Sequence, residues 1–142
     1  MARFLSKADE QRIMEAIREA ETNTSGEIRV HLQPSSKGDP MATAKKTFER
    51  LKMTRTEQRN GVLFFVATRD QQLAVLGDKG IDEATPSDFW DSVVETVTAG
   101  FREGRIADGL CEGIRAAGRA LQEYFPYQSD DENELNDEIS YA

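Results

Sequence analysis

The chain has 142 residues, a formal net charge of −8, and 31% charged against 38% apolar residues, with a mean hydropathy of −0.61. That describes one soluble domain, large enough to bury roughly two-thirds of its unfolded surface. Its longest apolar run, residues 62–67, is far too short for the ~20 residues of a membrane-spanning helix. A single Cys111 and a single His31 exclude an internal disulfide, a cysteine-based zinc site and an H-E-x-x-H metalloprotease centre.

In chain order, Ser6 followed by Asp9 and Glu10 reads as a helix cap with an acidic first turn. Ile13, Ile17 and Ala20 continue that helix as an apolar stripe to about Glu21. After a polar turn, residues 27–32 alternate: Ile28, Val30 and Leu32 on one face, Glu27, Arg29 and His31 on the other. This predicts a strand near a sheet edge, with His31 on its polar surface. Residues 34–40 form a loop, and Ala44, Phe48 and Leu51 follow at helical spacing. Residues 61–68 are continuously apolar and predict a strand buried on both faces. Arg69-Asp70-Gln71 is short enough for a hairpin into a third strand, residues 72–76, which Gly77-Asp-Lys-Gly80 ends. A helix opening at Pro86 or Ser87 and closed by Gly100 and Gly104 carries Phe89, Trp90, Val93, Val97 and Phe101 inward. A last helix, residues 106–124, carries Leu110, Ile114, Ala117 and Leu121, and Pro126 stops it.

The order α-β-α-β-β-α-α predicts a parallel first pair of strands with a right-handed crossover, and a third strand antiparallel to the second. The fold class is α/β: a three-layer α/β/α sandwich, with a Rossmann-like mixed sheet flanked by helices. The expected division is a body of residues 1–126 and an acidic tail of residues 127–142. From residue 128 onward there are six acids and no base, leaving 20 acids against 18 bases before it. Neither part offers the basic face that nucleic-acid binding needs. With no apolar signal core at the N-terminus and one unpaired cysteine, a cytoplasmic location is expected.

This topology collects chemistry at one place. A third strand running against the first two ends where they begin, so Asp78, Glu27 and Asn60 are expected at one rim. Asp82 follows four residues after Asp78 on a loop. Asp88 and Asp91, three apart, are expected on one helix face near the same rim. The candidate metal ligands are therefore Glu27, Asp78, Asp82, Asp88 and Asp91, with Ser25 nearby and Lys79 as the close cation. Hard carboxylate oxygens suit Ca²⁺ or Mg²⁺. The alternative is a solvated acidic face.

Other signals are weaker. Ser35-Ser-Lys-Gly-Asp39 lies at the carboxyl end of the first strand, where a phosphate could sit, but it lacks a P-loop's glycine pattern and reads best as an ordinary connection. Residues 77–80 are not a dinucleotide fingerprint, because no helix is expected to start at once. Ser25 has no nearby His–Asp partner in sequence, and Cys111 reads as a packing residue. In the tail, Leu135, Ile139 and Tyr141 suit a short amphipathic turn that docks on the domain or on a protein partner.

Four segments occur in order and at matching distances: Thr24-Ser-Gly-Glu-Ile-Arg-Val30, Asn60-Gly-Val-Leu-Phe-Phe-Val66, Leu76-Gly-Asp-Lys-Gly-Ile81 and Phe101-Arg-Glu-Gly-Arg-Ile-Ala-Asp-Gly109. Together they resemble the TPM-domain family, named partly for a thylakoid-lumen phosphatase, over about residues 6 to 125. The resemblance implies a Rossmann-like sandwich, a divalent-metal site at the acidic rim and, in some relatives, phosphatase activity on phosphate esters. By position, the family's glycine-rich turn matches residues 77–80 with Asp78 as its acid. The acid opening the next family helix matches Asp88, and Glu27 matches the start of the first strand. The tail segment Asp130-Asp-Glu-Asn-Glu-Leu135 is similar to that of a compact soluble bacterial branch without a membrane anchor. The leading expectation is a soluble protein that binds Ca²⁺ or Mg²⁺ at the rim and works as a metal-dependent phosphomonoesterase. The rival is a non-enzymatic, metal-regulated interaction module whose partner meets the tail.

Overall fold

The computed structural model describes residues 5–36, 38–127 and 139–141. Helix α1 (Lys7–Glu21) is capped by the Ser6 hydroxyl, which accepts from the Asp9 N–H. Strand β1 (Glu27–Gln33) leads to helix α2 (Pro40–Arg50), where Asp39 is the cap and Pro40 opens the first turn. Strand β2 (Gly61–Ala67), buried at every position, turns through Gln71, in left-handed backbone at φ 52°, into β3 (Gln72–Gly77). Helices α3 (Lys79–Ala84), α4 (Asp91–Arg102) and α5 (Ile106–Gln122) follow, and a short strand β4 (Ile139–Tyr141) completes the sheet.

The sheet order is β3-β2-β1-β4. Strands β1 and β2 are parallel, with Glu27 opposite Gly61, and β3 is antiparallel to β2, with Gly77 opposite Val62. One face of the sheet packs Ile28, Val30, Val62, Phe64 and Val75 against α1, α4 and α5. The other packs Leu63, Phe65 and Ala74 against Ala44 and Phe48 of α2. Both faces of β2 are therefore covered, which is why its sequence is apolar without alternation. The three-layer α/β/α sandwich is the observed fold.

Four expectations need correction. Asp78 caps a helix that starts at the next residue, so the segment after β3 is helix α3 and not a loop. Thr85 ahead of Pro86 is extended, as the pre-proline position demands. Residues 87–90 then form turns closed by Phe89 N–H to Pro86 O and Asp91 N–H to Asp88 O. Helix α4 starts only at Asp91, so Asp88 lies before it and the two share no helix face. Gly100 lies inside α4 rather than at its end: a Cβ there would stand 2.7 Å from the Gly109 Cα of α5, so glycine permits the close helix contact. Ile139 and Tyr141 belong to a strand and not to a helical turn, because the open edge of β1 supplies backbone partners at Val30 and Leu32. The acidic residues 130–138 and Leu135, like Lys37, lie outside the described residues.

Candidate functional site at the strand-end rim

The rim is built by the sheet register. The Glu27 N–H donates to the Asn60 carbonyl at 3.3 Å, and the Asp78 N–H donates to the Gly61 carbonyl at 2.9 Å. The starts of β1 and β2 and the end of β3 thus meet, as the topology predicts. Asn60 is buried; its backbone N–H donates to the Thr56 hydroxyl at 3.2 Å and its side-chain amide to the Ser25 hydroxyl at 3.3 Å. The Gln58 amide reaches the same Ser25 oxygen at 3.3 Å. Ser25 is a polar anchor for the turn entering β2, with two amide donors converging on it.

Asp78 is the centre of the rim. Only 6% exposed, it sits in extended backbone as the cap of α3, and the Lys79 N–H donates to its Oδ1 at 2.7 Å. Arg59 grips the same carboxylate with two bonds, Nε to Oδ2 at 2.8 Å and Nη2 to Oδ1 at 2.9 Å. This bidentate geometry is the strongest form of arginine–carboxylate pairing. The bond to Asp78 raises the Arg59 guanidinium above its ordinary pKa. The expectation of Lys79 as the close cation is therefore corrected: Lys79 contributes its backbone N–H, and Arg59 brings the charge. Arg59 reaches Asp78 from a left-handed backbone position, φ 51°. Gly80 makes that turn dock: its N–H donates to the Arg59 carbonyl at 2.9 Å, and a Cβ at residue 80 would lie 2.2 Å from the Gln58 carbonyl oxygen.

The other sequence candidates fall at different depths. Glu27 is buried, at 4% exposure, at the start of β1. Asp82 lies in the first turn of α3, its N–H bonded to the Asp78 carbonyl at 3.1 Å. Asp82 is exposed, yet residual desolvation and the nearby Asp78 charge hold its carboxyl above the ordinary range, against the pull of Lys45. Asp88 and Asp91 are exposed on the turn and first residue leading into α4. Among the described residues, no three Asp, Glu, His or Cys side chains are placed to hold one ion. The pair whose charges act on each other is Asp78 and Asp82.

The polar loop after β1 turns inward. The Ser35 hydroxyl donates to Asp70 at 2.7 Å, tying the loop to the β2–β3 hairpin, and the Ser36 hydroxyl donates to the Gly38 carbonyl at 2.8 Å within the loop. A cleft of about 330 Å³ opens between α1, α4 and α5, where Arg12, Arg105 and Arg115 face Glu103, Asp108 and Glu112. None of the five candidate ligands lines it.

The family model of the TPM domain matches residues 1–120. The chain belongs to the TPM domain family. This TPM domain is similar to the BA42 protein of the psychrophilic bacterium Bizionia argentinensis, whose solution structure superposes with a TM-score of 0.94 at 44% identity, covering 100% of this chain and 98% of that one. The N-terminal domain of the cg2496 protein from Corynebacterium glutamicum shares the fold at a TM-score of 0.63 and 13% identity, over 96% of this chain and 80% of that one. No curated protein matches it. Among the described residues of the TPM domain, no helix is long and apolar enough to cross a membrane.

The residue that sequence reading missed is Arg59. Its signal was its position immediately before Asn60-Gly61, which places it at the rim by the same register argument that placed Asn60.

Proposed function

We propose that this TPM domain binds a divalent cation, Ca²⁺ or Mg²⁺, at the rim, with Asp78 and Asp82 as its principal ligands and Glu27, Asp88 and Asp91 as the surrounding acids. The observation that carries the reading is two neighbouring carboxylates at the meeting of three strand ends: nearly buried Asp78, held by an Arg59 whose own side chain is 42% exposed, and Asp82 in the first turn of the helix that Asp78 caps. The neighbouring Asp82 carboxyl is held above its ordinary range partly by the Asp78 charge. A cation shared by the two would relieve that repulsion. The donor set is hard oxygen, which matches Ca²⁺ and Mg²⁺. Arg59 is then the competitor that an incoming ion displaces.

On this reading the site serves phosphomonoester hydrolysis. A bound divalent ion would polarise the phosphoryl oxygens and the attacking water. Arg59, once released from Asp78, is the guanidinium positioned to bind the phosphate dianion. A second reading, the non-enzymatic interaction module, is favoured by the completeness of the clasp. Two bonds from Arg59 and one from Lys79 already engage Asp78, as a purely structural rim requires.

The test is an amide NMR titration of metal-stripped protein with Ca²⁺ and then Mg²⁺, followed by phosphomonoester turnover. Saturable shifts at residues 27, 58–61 and 77–82 are expected. Asp78→Asn should abolish them while preserving the helix cap, because asparagine caps as well as aspartate. Arg59→Gln should tighten the ion's binding. Shifts confined to the acidic tail, or weakened binding in Arg59→Gln, would overturn the metal reading. Saturable rim shifts without ester turnover would leave the interaction module.

A further inference from the structure

His31 is expected on a polar strand surface, yet it is fully buried. The C-terminal strand lies against it, together with Phe65 and Gln33. Three residues of β4 pair with β1, Ile139 opposite Val30, Ser140 opposite His31 and Tyr141 opposite Leu32. They close the edge that β1 would otherwise expose. Each touches something different: Ile139 packs against the apolar face, Tyr141 directs its phenol to Glu10 of α1, and Ser140 meets His31.

The hydrogen bonds around His31 define its protonation. The Gln33 amide N–H donates to the Ser35 carbonyl at 2.7 Å, so the Gln33 Oε1, 3.0 Å from His31 Nε2, is an acceptor. Nε2 therefore carries the proton, and the bare Nδ1 accepts from the Ser140 hydroxyl at 2.7 Å. In this arrangement the docked strand's hydroxyl donates to the neutral ring, and its alternative acceptor is the Val30 carbonyl at 3.4 Å. On its other side the ring stacks on Phe65 of β2 at 5.7 Å between centroids. Among the described residues, the charged groups that act on it are Arg29 of β1 and Arg50 of α2, both cations. Burial pushes the imidazole below its ordinary pKa; the Gln33 bond opposes this, and Arg50 and Arg29 reinforce it.

We propose that the C-terminal strand β4 is a proton-sensitive latch on the sheet edge: it docks over neutral His31 and is released when His31 takes up a proton. The sign follows from linkage. A histidine whose pKa is lower in the docked state binds protons more readily in the undocked one, so falling pH favours undocking. Between the docked and undocked pKa values, docking weakens about tenfold per pH unit. Release uncovers the backbone of β1 at residues 30–32, and an uncovered strand edge is a template for pairing with another strand.

Because His31 is the chain's one histidine, its ring signals report this coupling without assignment ambiguity. The experiment follows those signals and the amide hydrogen exchange of residues 139–141 in the full chain from about pH 8 to about pH 5, with the β2 amides as internal reference. Protection of residues 139–141 should fall as His31 titrates while β2 stays protected. In the full-length Ser140→Pro variant, which cannot complete the ladder, the His31 pKa should rise toward its ordinary value. In His31→Gln, which removes the titrating group, protection of residues 139–141 should be flat with pH. Equal His31 pKa values in wild type and Ser140→Pro, or the same pH-dependent loss in His31→Gln, would overturn the latch.

Discussion

The two sides of the sheet region hold themselves together by different means. Where α4 and α5 cover β1 and β2, the contact is apolar and close: Val93, Val97, Leu110 and Ile114 are at most 1% exposed. Gly100 and Gly109 let the two helix backbones meet there. At the rim, the contact between the Gln58–Asn60 turn and α3 is polar, made by Asp78, Arg59 and the Gly80 N–H. The first kind of contact is non-directional and tolerates no missing volume. The second is directional and can be exchanged, since a different cation satisfies the same carboxylate. The packed side therefore carries stability, and the clasped side carries the proposed chemistry.

The sharpest break of that contrast is on the packed side. Phe64 is fully buried, and Gly113 of α5 lies against its ring. Phe64→Ala should cost about 3–5 kcal/mol in denaturant unfolding, transfer and cavity terms combined. A loss under 1 kcal/mol would mean that the side chain is not the packed keystone its burial indicates.

Gly80→Ala should come next. Its Cβ would strike the Gln58 carbonyl oxygen, which is backbone and has no rotamer to yield. The turn must shift, at a cost of about 1–3 kcal/mol. The variant should also pull Arg59 away from Asp78, so amide shifts are expected at residues 58–61 and 77–80 together. Shifts at residue 80 alone would show the turn and the helix to be independent.

The smallest effect belongs to Asp82. Its carboxyl is held above the ordinary range, so its ionisation works against the fold, and that strain disappears as pH falls through its raised pKa. Asp82→Asn should leave the metal-free chain slightly more stable at neutral pH, by no more than about 0.5 kcal/mol. The gain should vanish in acid, where wild-type Asp82 is itself protonated. A loss of stability at neutral pH would show that Asp82 makes a favourable contact with its surroundings in the absence of any ion.

Much of this architecture is legible in the chain alone. Ile13, Ile17 and Ala20 announce α1 by their spacing, and the unbroken apolar run of β2 announces a strand covered on both faces. The antiparallel return of β3 after a short turn, four residues long in the structure, then places Asp78 at the same rim as Glu27 and Asn60. These readings succeed because periodicity and strand direction are local properties with a global consequence. The site is less legible. Helix α3 escapes because six residues are too few to show a period, and its start depends on an aspartate cap that in sequence looks like any turn acid. The position of Arg59 beside Asn60-Gly61 marks it as a rim residue, but its partner escapes, because a bidentate ion pair spanning 19 positions leaves no spacing to detect.

The sequence by itself determined the α/β/α layering, the strand directions and the meeting of Glu27, Asn60 and Asp78 at one strand-end rim, since these follow from which residues avoid water and how far apart they stand. Only the tertiary structure decided which cation holds Asp78, how deeply each acid lies, and that Ser140 closes over His31. Those outcomes rest on contacts between residues distant in the chain, whose strength depends on distance, direction and local exclusion of water, and none of these is encoded in spacing along the chain.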